Sequence, residues 1–166
     1  YPKELHAQRA CFVTLKKDGK LRGCIGSLEA ANPLVKDVAY NAYNAAFQDT
    51  RFPKLTSEEL SKNSVSIHIS VLSPMVPINF ADEADLVRQL RPRVDGVILA
   101  EEKRRSVFLP VVWEELPKPQ DFLNHLKRKA GLPDSYWSDK IQAWRYVTHS
   151  VSSENLPKNV NIWRPN

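Results

Sequence analysis

The first clear pattern along the chain is that of a β-hairpin. Residues 12–15 combine apolar and β-branched side chains, and Asp18-Gly19 is a dipeptide typical of type I′ turns. Residues 20–27 are therefore predicted to return as the second strand. This pairing would place Cys11 and Cys24 in or beside neighbouring strands.

Further segments also have the features of strands. Residues 64–72 alternate strictly between apolar side chains and a polar set of serines and His68. This alternation predicts a half-buried strand. Residues 94–100 and 106–109 indicate a second hairpin with a charged tip, and residues 141–148 are a final strand candidate. Residues 73–77 contain two prolines and are predicted to be a connector.

The most regular helical pattern follows Asn32-Pro33, which predicts Asn32 as the N-cap and Pro33 as the first helical residue. One broad face of this helix is apolar and is predicted to pack on the core. That face comprises Leu34, Val35, Val38, Ala39, Ala42, Ala45 and Ala46. The opposite stripe comprises Asp37, Asn41, Asn44 and Gln48. It is almost uncharged, which is unusual for a face that meets only water, and Asn41 is therefore a candidate substrate-binding residue.

Shorter helices are predicted elsewhere. Thr56 and Glu59 have the spacing of a capping box, so a short helix should run to about Ser61. Helices are also predicted over residues 82–90, from Pro110, and over residues 120–130 with Gly131 at the end. The order of hairpin, helix and helix recurs over residues 94–130, which suggests an internal structural duplication. These runs indicate the α+β class, with mixed or antiparallel sheets and packed helices.

Length and composition suit one ordinary globular domain, since 42% of the 166 residues are hydrophobic and 26% are charged. We predict that this domain spans residues 1–150 and that an irregular tail follows over residues 151–166. Because the chain starts at Tyr1 and not at Met, residues upstream are predicted to be missing. No apolar run reaches the roughly 18 residues of a membrane span. The spacing of the two cysteines is that of neither a CxxC motif nor a zinc ligand set, so free thiols and a cytoplasmic location are predicted.

The net charge of +5 is mildly basic and favours anionic partners. The basic residues lie in three separate clusters, which are predicted to be solvated hairpin tips and a helix end. Few aromatic residues are interleaved with them, so nucleic-acid binding is expected to be weak at most. The clusters are Lys16-Lys17, Lys103-Arg104-Arg105 and Lys127-Arg128-Lys129. The four histidines lie far apart in the sequence, and no metal or cofactor site is predicted.

The Leu21–Gly26 segment is the best candidate for chemistry. Gly23 and Gly26 flank Cys24 inside a predicted strand, where glycine is unfavourable unless a bend or a close approach requires it. A guanidinium such as that of Arg22 would favour the thiolate form of Cys24, and exposed backbone N–H groups could bind an anion. Alternatively, Cys24 is a small buried apolar residue and the glycines allow a helix to pack closely.

Polar residues from two other segments are expected to complete this site. Asp49 and Arg51 lie at the end of the long predicted helix, and Glu59 belongs to the capping box. We predict that Cys24 and Arg22 line a concave surface with at least one of these three residues. A structural Asp49–Arg51 pair and a capping role for Glu59 are the alternatives. His68 is interpreted as a residue of a polar strand face more readily than as a base.

With these residues in place, the chain resembles the AMMECR family, and in particular the prokaryotic proteins called AmmeMemoRadiSam system protein A. The resemblance spans residues 8–146 and rests on five segments, namely 21–29, 49–55, 94–99, 108–114 and 126–132. It implies a two-lobed α+β fold with unequal lobes and a helical segment upstream of Tyr1. It also implies an association with Memo-like and radical-SAM proteins and a site at Arg22–Gly26. It supplies no reaction.

Three functions are consistent with the sequence. The leading hypothesis is an enzyme or enzyme component whose cleft is built on the Leu21–Gly26 segment. Cys24 would be the nucleophile or redox thiol, and Arg22 would bind an anionic group. The second is a non-catalytic module in which Arg22–Gly26 is a docking edge for a Memo-like or radical-SAM partner. The third and weakest is RNA binding.

Overall fold

A computed structural model describes residues 2–62 and 64–156, and the predicted tail beyond residue 156 lies outside the described residues. The described residues form two compact units, one comprising residues 2–62, 64–72 and 149–156 and the other residues 73–148. The strands are β1 (Cys11–Lys17), β2 (Lys20–Gly26), β3 (Val65–Leu72), β4 (Val76–Ile78), β5 (Gly96–Glu101), β6 (Arg104–Phe108), β7 (Gln142–Tyr146) and β8 (Thr148–Ser152). The α-helices are α1 (Leu34–Phe47), α2 (Ser57–Ser61), α3 (Glu83–Gln89) and α4 (Pro119–Lys129). Two antiparallel sheets with packed helices confirm the α+β class.

The first unit contains a sheet with the strand order β2-β1-β3-β8. The hairpin of β1 and β2 turns at Asp18 and Gly19, whose φ angles of 51° and 74° are those a type I′ turn requires. The pairing of β1 and β2 shifts by one residue between Leu15 and Lys16, which marks a β-bulge. This bulge lies at Arg22, because Leu15 pairs with Gly23 while Lys16 pairs with Leu21.

Helix α1 packs against one face of this sheet. The buried core between them comprises Val13, Leu15, Ala45, Ala46, Leu55 and Val65. Burying each of the larger aliphatic side chains contributes about 1.5–3 kcal/mol. The approach is closest at Gly23, where an added Cβ would lie 2.1 Å from the carbonyl oxygen of Ala45. Gly23 is therefore required by packing of the helix on the sheet.

The start of α1 differs from the prediction. Helix α1 begins at Leu34, while Pro33 has an extended ψ of 138° and Asn32 is not the N-cap. A β-bridge between Gln8 and Pro33 keeps Pro33 extended, and the Asn32 amide instead donates to Asp37 Oδ1 at 2.9 Å. The prediction failed because a distant segment, and not the local sequence, determines the conformation of Pro33.

The exposed face of α1 also differs from the prediction. Asp37 and Asn41, in the polar stripe opposite the predicted apolar face, are buried, whereas Tyr40 and Tyr43 are 68% and 56% exposed. Asn41 is buried because its amide donates to the main-chain oxygen of Cys11 in β1 at 3.3 Å. The helix therefore presents aromatic side chains to solvent.

The second unit contains a sheet with the strand order β4-β7-β5-β6. Its edge strand β4 was predicted to be a connector, but Pro77 is tolerated there because an edge strand needs fewer hydrogen bonds. The core includes Trp113 and Phe122, whose rings stack with centroids 3.7 Å apart. The segment that starts at Pro110 is a 3₁₀ helix, Pro110–Glu114, and not an α-helix.

Two predictions about the C-terminal half are corrected. Residues 141–148 form no single strand, because the chain leaves β7 at Tyr146, and the next strand, β8, lies beside β3 in the first unit's sheet. Lys127 was placed in a solvated basic cluster but is fully buried, with Nζ donating to Glu83 Oε1 at 2.7 Å and to the main-chain oxygen of Tyr136 at 3.3 Å.

Among the described residues, no helix is long and apolar enough to cross a membrane.

The Gly23→Ala substitution should lower the free energy of unfolding by about 2 kcal/mol, because the new methyl group would displace helix α1. Urea unfolding followed by circular dichroism measures this change. Lys20→Ala is the matched control in the same strand, since Lys20 is exposed at the hairpin tip, and it should stay within about 0.5 kcal/mol of wild type. A Gly23→Ala variant as stable as the control would contradict this account of the packing.

Candidate functional site

Cys24 lies on the polar face of the first unit's sheet, opposite the face that α1 covers. In the register of the sheet it pairs with Thr14, and Thr14 in turn pairs with His68. Cys24 Sγ and Thr14 Oγ1 lie 3.2 Å apart, within hydrogen-bonding distance for sulfur. Cys24 is half-buried, whereas Cys11 is buried.

The outer edge of β2 is closed at Cys24 by a pair of side chains. The backbone N–H of Cys24 donates to Asp49 Oδ2 at 2.9 Å, and its carbonyl oxygen accepts from Arg51 Nη2 at 3.1 Å. Asp49 and Arg51 also form an ion pair with an N–O distance of 2.7 Å. These groups take the place of a neighbouring strand. Hydrogen bonds from Arg51 and from the N–H of Cys24 hold the pKa of Asp49 well below its ordinary value, in spite of its burial.

Arg22, the bulged residue of β2, is held by four hydrogen bonds. Its Nε and Nη2 donate to the two carboxylate oxygens of Glu59 at 3.0 and 3.1 Å. Its Nη1 and Nη2 also donate to the carbonyl oxygens of Pro53 and Lys54 at 2.7 and 3.2 Å. Arg22 therefore fixes the segment after α1 against the bulge.

Glu59 connects this cluster to helix α2. It forms the predicted capping box with Thr56, accepting from the Thr56 backbone N–H at 2.9 Å. The hydrogen bonds from Arg22, and then that from the Thr56 backbone, hold the pKa of Glu59 well below its ordinary value. Lys17 adds a further contact to Oε1 at 3.2 Å. One carboxylate thus joins the start of α2, the bulge and the end of β1.

A cleft of about 520 Å³ opens beside Arg22 and Glu59. Its lining comprises Lys17, Arg22, Pro53, Lys54, Thr56, Glu58, Glu59, Lys62 and Ser64. Arg22 and Glu59 line this cleft, whereas Cys24, which was predicted to line the same concave surface as Arg22, is not part of its lining. The structure therefore separates two features, a cleft with charged walls and a thiol on the polar sheet face.

The remaining predicted site residues have contacts that belong to packing. An added Cβ at Gly26 would lie 2.3 Å from the ring of Phe12, so this glycine leaves room for the ring. Asn41 lies on the helix side of the sheet, where its amide is also 3.5 Å from Cys11 Sγ. Cys11 is fully buried, and burial raises the pKa of its thiol. Both cysteines are free thiols, as predicted, and they point to opposite faces of the sheet.

Thr14 and Glu154 are residues near Cys24 and His68 that the sequence pattern did not single out. Glu154 Oε2 lies 3.6 Å from His68 Nε2. It is brought there because Ser153 Oγ accepts a hydrogen bond from the backbone N–H of Ile67 at 2.9 Å. The Asp18-Gly19 turn could have identified β1 as the strand beside Cys24. A hairpin built from that turn without the bulge, however, would pair Cys24 with Val13.

A family model described as AMMECR1 matches residues 1–151 of the chain. The chain belongs to the AMMECR1 family. It is 38% identical to a protein of Thermotoga maritima, over 88% of this chain and 79% of that protein. It is 36% identical to a protein of Methanothermobacter thermautotrophicus, over 87% of this chain and 76% of that protein.

Among solved structures, the chain is similar to the crystal structure of the uncharacterized protein PH0010 from Pyrococcus horikoshii. The TM-score is 0.82 at 29% sequence identity, and the match covers 92% of this chain and 77% of that chain. The same fold therefore occurs in this solved structure, which shares 29% of its sequence with the chain. Together these matches confirm the family that the sequence motifs indicated.

The Glu59→Gln substitution should lower the free energy of unfolding at pH 7 by about 2 kcal/mol, because Arg22 loses its charged partner. The pKa of Glu59 is depressed in the folded state relative to its ordinary value of 4.5. Its contribution is therefore complete well above pH 4.5 and decreases as the pH falls below that value. Urea unfolding at pH 7 and at pH 3 should show that the difference between wild type and variant shrinks in acid.

The neighbouring Glu58→Gln substitution is the matched control. Glu58 also forms an ion pair, with Lys62 at 2.6 Å, but its side chain is 73% exposed. Such a pair contributes little, so the change should stay below about 0.5 kcal/mol. A Glu59→Gln effect equal to that of the control, or independent of pH, would contradict the role given to Glu59.

Proposed function

We propose that this AMMECR1-family protein is an enzyme, or a component of one, and that its reactive group is the thiol of Cys24. The observation that supports this proposal is the contrast between the two cysteines. Cys24 is half-buried on the polar face and in contact with a hydroxyl, whereas Cys11 is fully buried on the helix side of the sheet. A thiol that only filled space would be expected on the buried side. The Cys24 thiol would act as a nucleophile or as a redox group.

In this proposal the Asp49–Arg51 pair positions Cys24. Arg51 also binds the substrate. This pair holds the backbone N–H and carbonyl groups of Cys24, so the backbone that carries the thiol is fixed in position. Arg51 is 55% exposed, and within the described part of the chain its Nη1 has no protein acceptor. An anionic group of a substrate could bind there. Arg22 is less suited to that task, because each of its three guanidinium nitrogens already donates to Glu59 or to a carbonyl oxygen.

A second candidate function is a non-catalytic module that binds a Memo-like or radical-SAM protein. Addition of a partner strand at β2 is disfavoured, because Asp49 and Arg51 already occupy the backbone groups of Cys24. The exposed Tyr40 and Tyr43 of α1 support a different docking surface, since tyrosine is enriched at protein interfaces. RNA binding is the weakest proposal, because Lys127 of one basic cluster is buried.

Alkylation of the native protein tests the leading proposal. Iodoacetamide at pH 7 should modify Cys24 at least about tenfold faster than Cys11, because Cys11 is inaccessible and burial disfavours its thiolate. Mass spectrometry of the two cysteine-containing peptides gives both rates in one experiment. In urea the rates should become similar, which controls for intrinsic differences between the peptides. Equal rates in the native protein would contradict a reactive Cys24.

A binding experiment tests the second candidate. Calorimetric titration of a purified Memo-like protein should show binding that Tyr40→Ser weakens by about tenfold, as expected for an aromatic residue at an interface. Lys36→Ser is the matched control, since Lys36 is exposed on the same helix, and it should have little effect. No measurable binding, or equal losses in the two variants, would contradict docking through the tyrosines.

A further inference from the structure

We infer that Thr14 and His68 complete the Cys24 site, with the Thr14 hydroxyl in contact with the thiol and the His68 imidazole as the acceptor of its proton. This inference rests on the proposed function and adds two residues to it. Cys24, Thr14 and His68 form a row across the polar face of the sheet, with one side chain on each of three strands. The row runs from β2 through β1 to β3.

The register of the sheet supports this row. Cys24 pairs with Thr14, and Thr14 pairs with His68, so all three side chains project from the same face. Directly opposed residues have Cβ atoms about 4.5–5.5 Å apart, which is within reach of a hydroxyl and an imidazole. The first step of the row is already formed, with 3.2 Å between Cys24 Sγ and Thr14 Oγ1.

The surroundings of His68 suit a group that gains a proton. Its Nε2 lies 3.2 Å from Ser66 Oγ and 3.6 Å from Glu154 Oε2, so a carboxylate is present to stabilise an imidazolium. Its side chain is 22% exposed, so it is partly shielded from water. Lys16 of β1 is a second charged group on this face, opposite Ser66 in the register. Lys16 lies diagonally from His68 in this register, and the charged partner of His68 is Glu154.

The proposed step is a proton transfer that balances without any external reactant. The S–H proton of Cys24 passes to Thr14 Oγ1 as the hydroxyl proton of Thr14 passes to an imidazole nitrogen of His68. The S–H and O–H bonds break, a new O–H and an N–H bond form, and the products are a thiolate and an imidazolium. Histidine suits this role because it exchanges protons near neutral pH.

Alkylation kinetics of variants test the inference without knowledge of the substrate. Thr14→Val keeps a β-branched side chain but removes the hydroxyl, and His68→Gln removes the proton acceptor. Each should slow iodoacetamide modification of Cys24 at pH 7 by about tenfold. The double variant should be no slower than the slower single variant, because both residues act in one path. Thr14→Ser restores a hydroxyl and should restore most of the rate.

A pH profile separates proton transfer from a merely structural role. In wild type the rate should fall only slightly between pH 8 and pH 6.5, whereas in His68→Gln it should fall about tenfold per pH unit, as for an isolated thiol. Ser70→Ala is the matched control on the same face of β3, and it should leave the profile unchanged. Cys11 should remain slow in every variant, which shows that the fold is intact.

The outcomes distinguish this inference from the proposed function. If Cys24 reacts no faster than Cys11 in wild type, the proposed function itself fails. If Cys24 reacts fast but Thr14→Val and His68→Gln leave its rate and pH profile unchanged, only the roles of Thr14 and His68 are overturned. Slowing by Thr14→Val that Thr14→Ser does not reverse would also overturn the role of the hydroxyl.

Discussion

The one-residue shift at Arg22 determines which side of the sheet carries the Cys24 thiol. Because strand side chains alternate, a shift of one residue moves every later side chain to the opposite face. Without the bulge, Cys24 would pair with Val13 and point into the core against α1, and Gly23 would lie on the polar face. With the bulge, Gly23 faces the helix and Cys24 faces Thr14.

The bulge in turn depends on residues that are distant in sequence. The Arg22 side chain bonds to Glu59 and to the carbonyl oxygens of residues 53 and 54, so the segment between α1 and α2 is tied to the bulged strand. Asp49 and Arg51, at the start of that segment, bond to the backbone one position beyond Gly23. The two most recognisable motifs of the chain therefore form one structural unit. Most of their charged groups are engaged in hydrogen bonds within this unit.

Features governed by local interactions could be predicted from the sequence, and those governed by distant contacts could not. The type I′ turn and the capping box at Glu59 depend only on residues a few positions apart, and both are present. The start of α1 could not be predicted, because Gln8 holds Pro33 extended. The burial of Asn41 depends on a carbonyl oxygen of Cys11, thirty residues away in the chain. The row of side chains on the polar face has the same origin, since it follows from the bulge.

The closed edge of β2 also bears on how the protein behaves in concentrated solution. An unpaired edge strand offers a row of hydrogen-bonding groups on which another chain can assemble, and natural sheets block such edges with charges. Here Asp49 and Arg51 block the edge by occupying its N–H and carbonyl groups at Cys24 as well as by their charge. Because the pKa of Asp49 is far below its ordinary value, the carboxylate stays ionised in mild acid. The two residues that hold the backbone of Cys24 thus also disfavour the addition of another strand at this position of the edge.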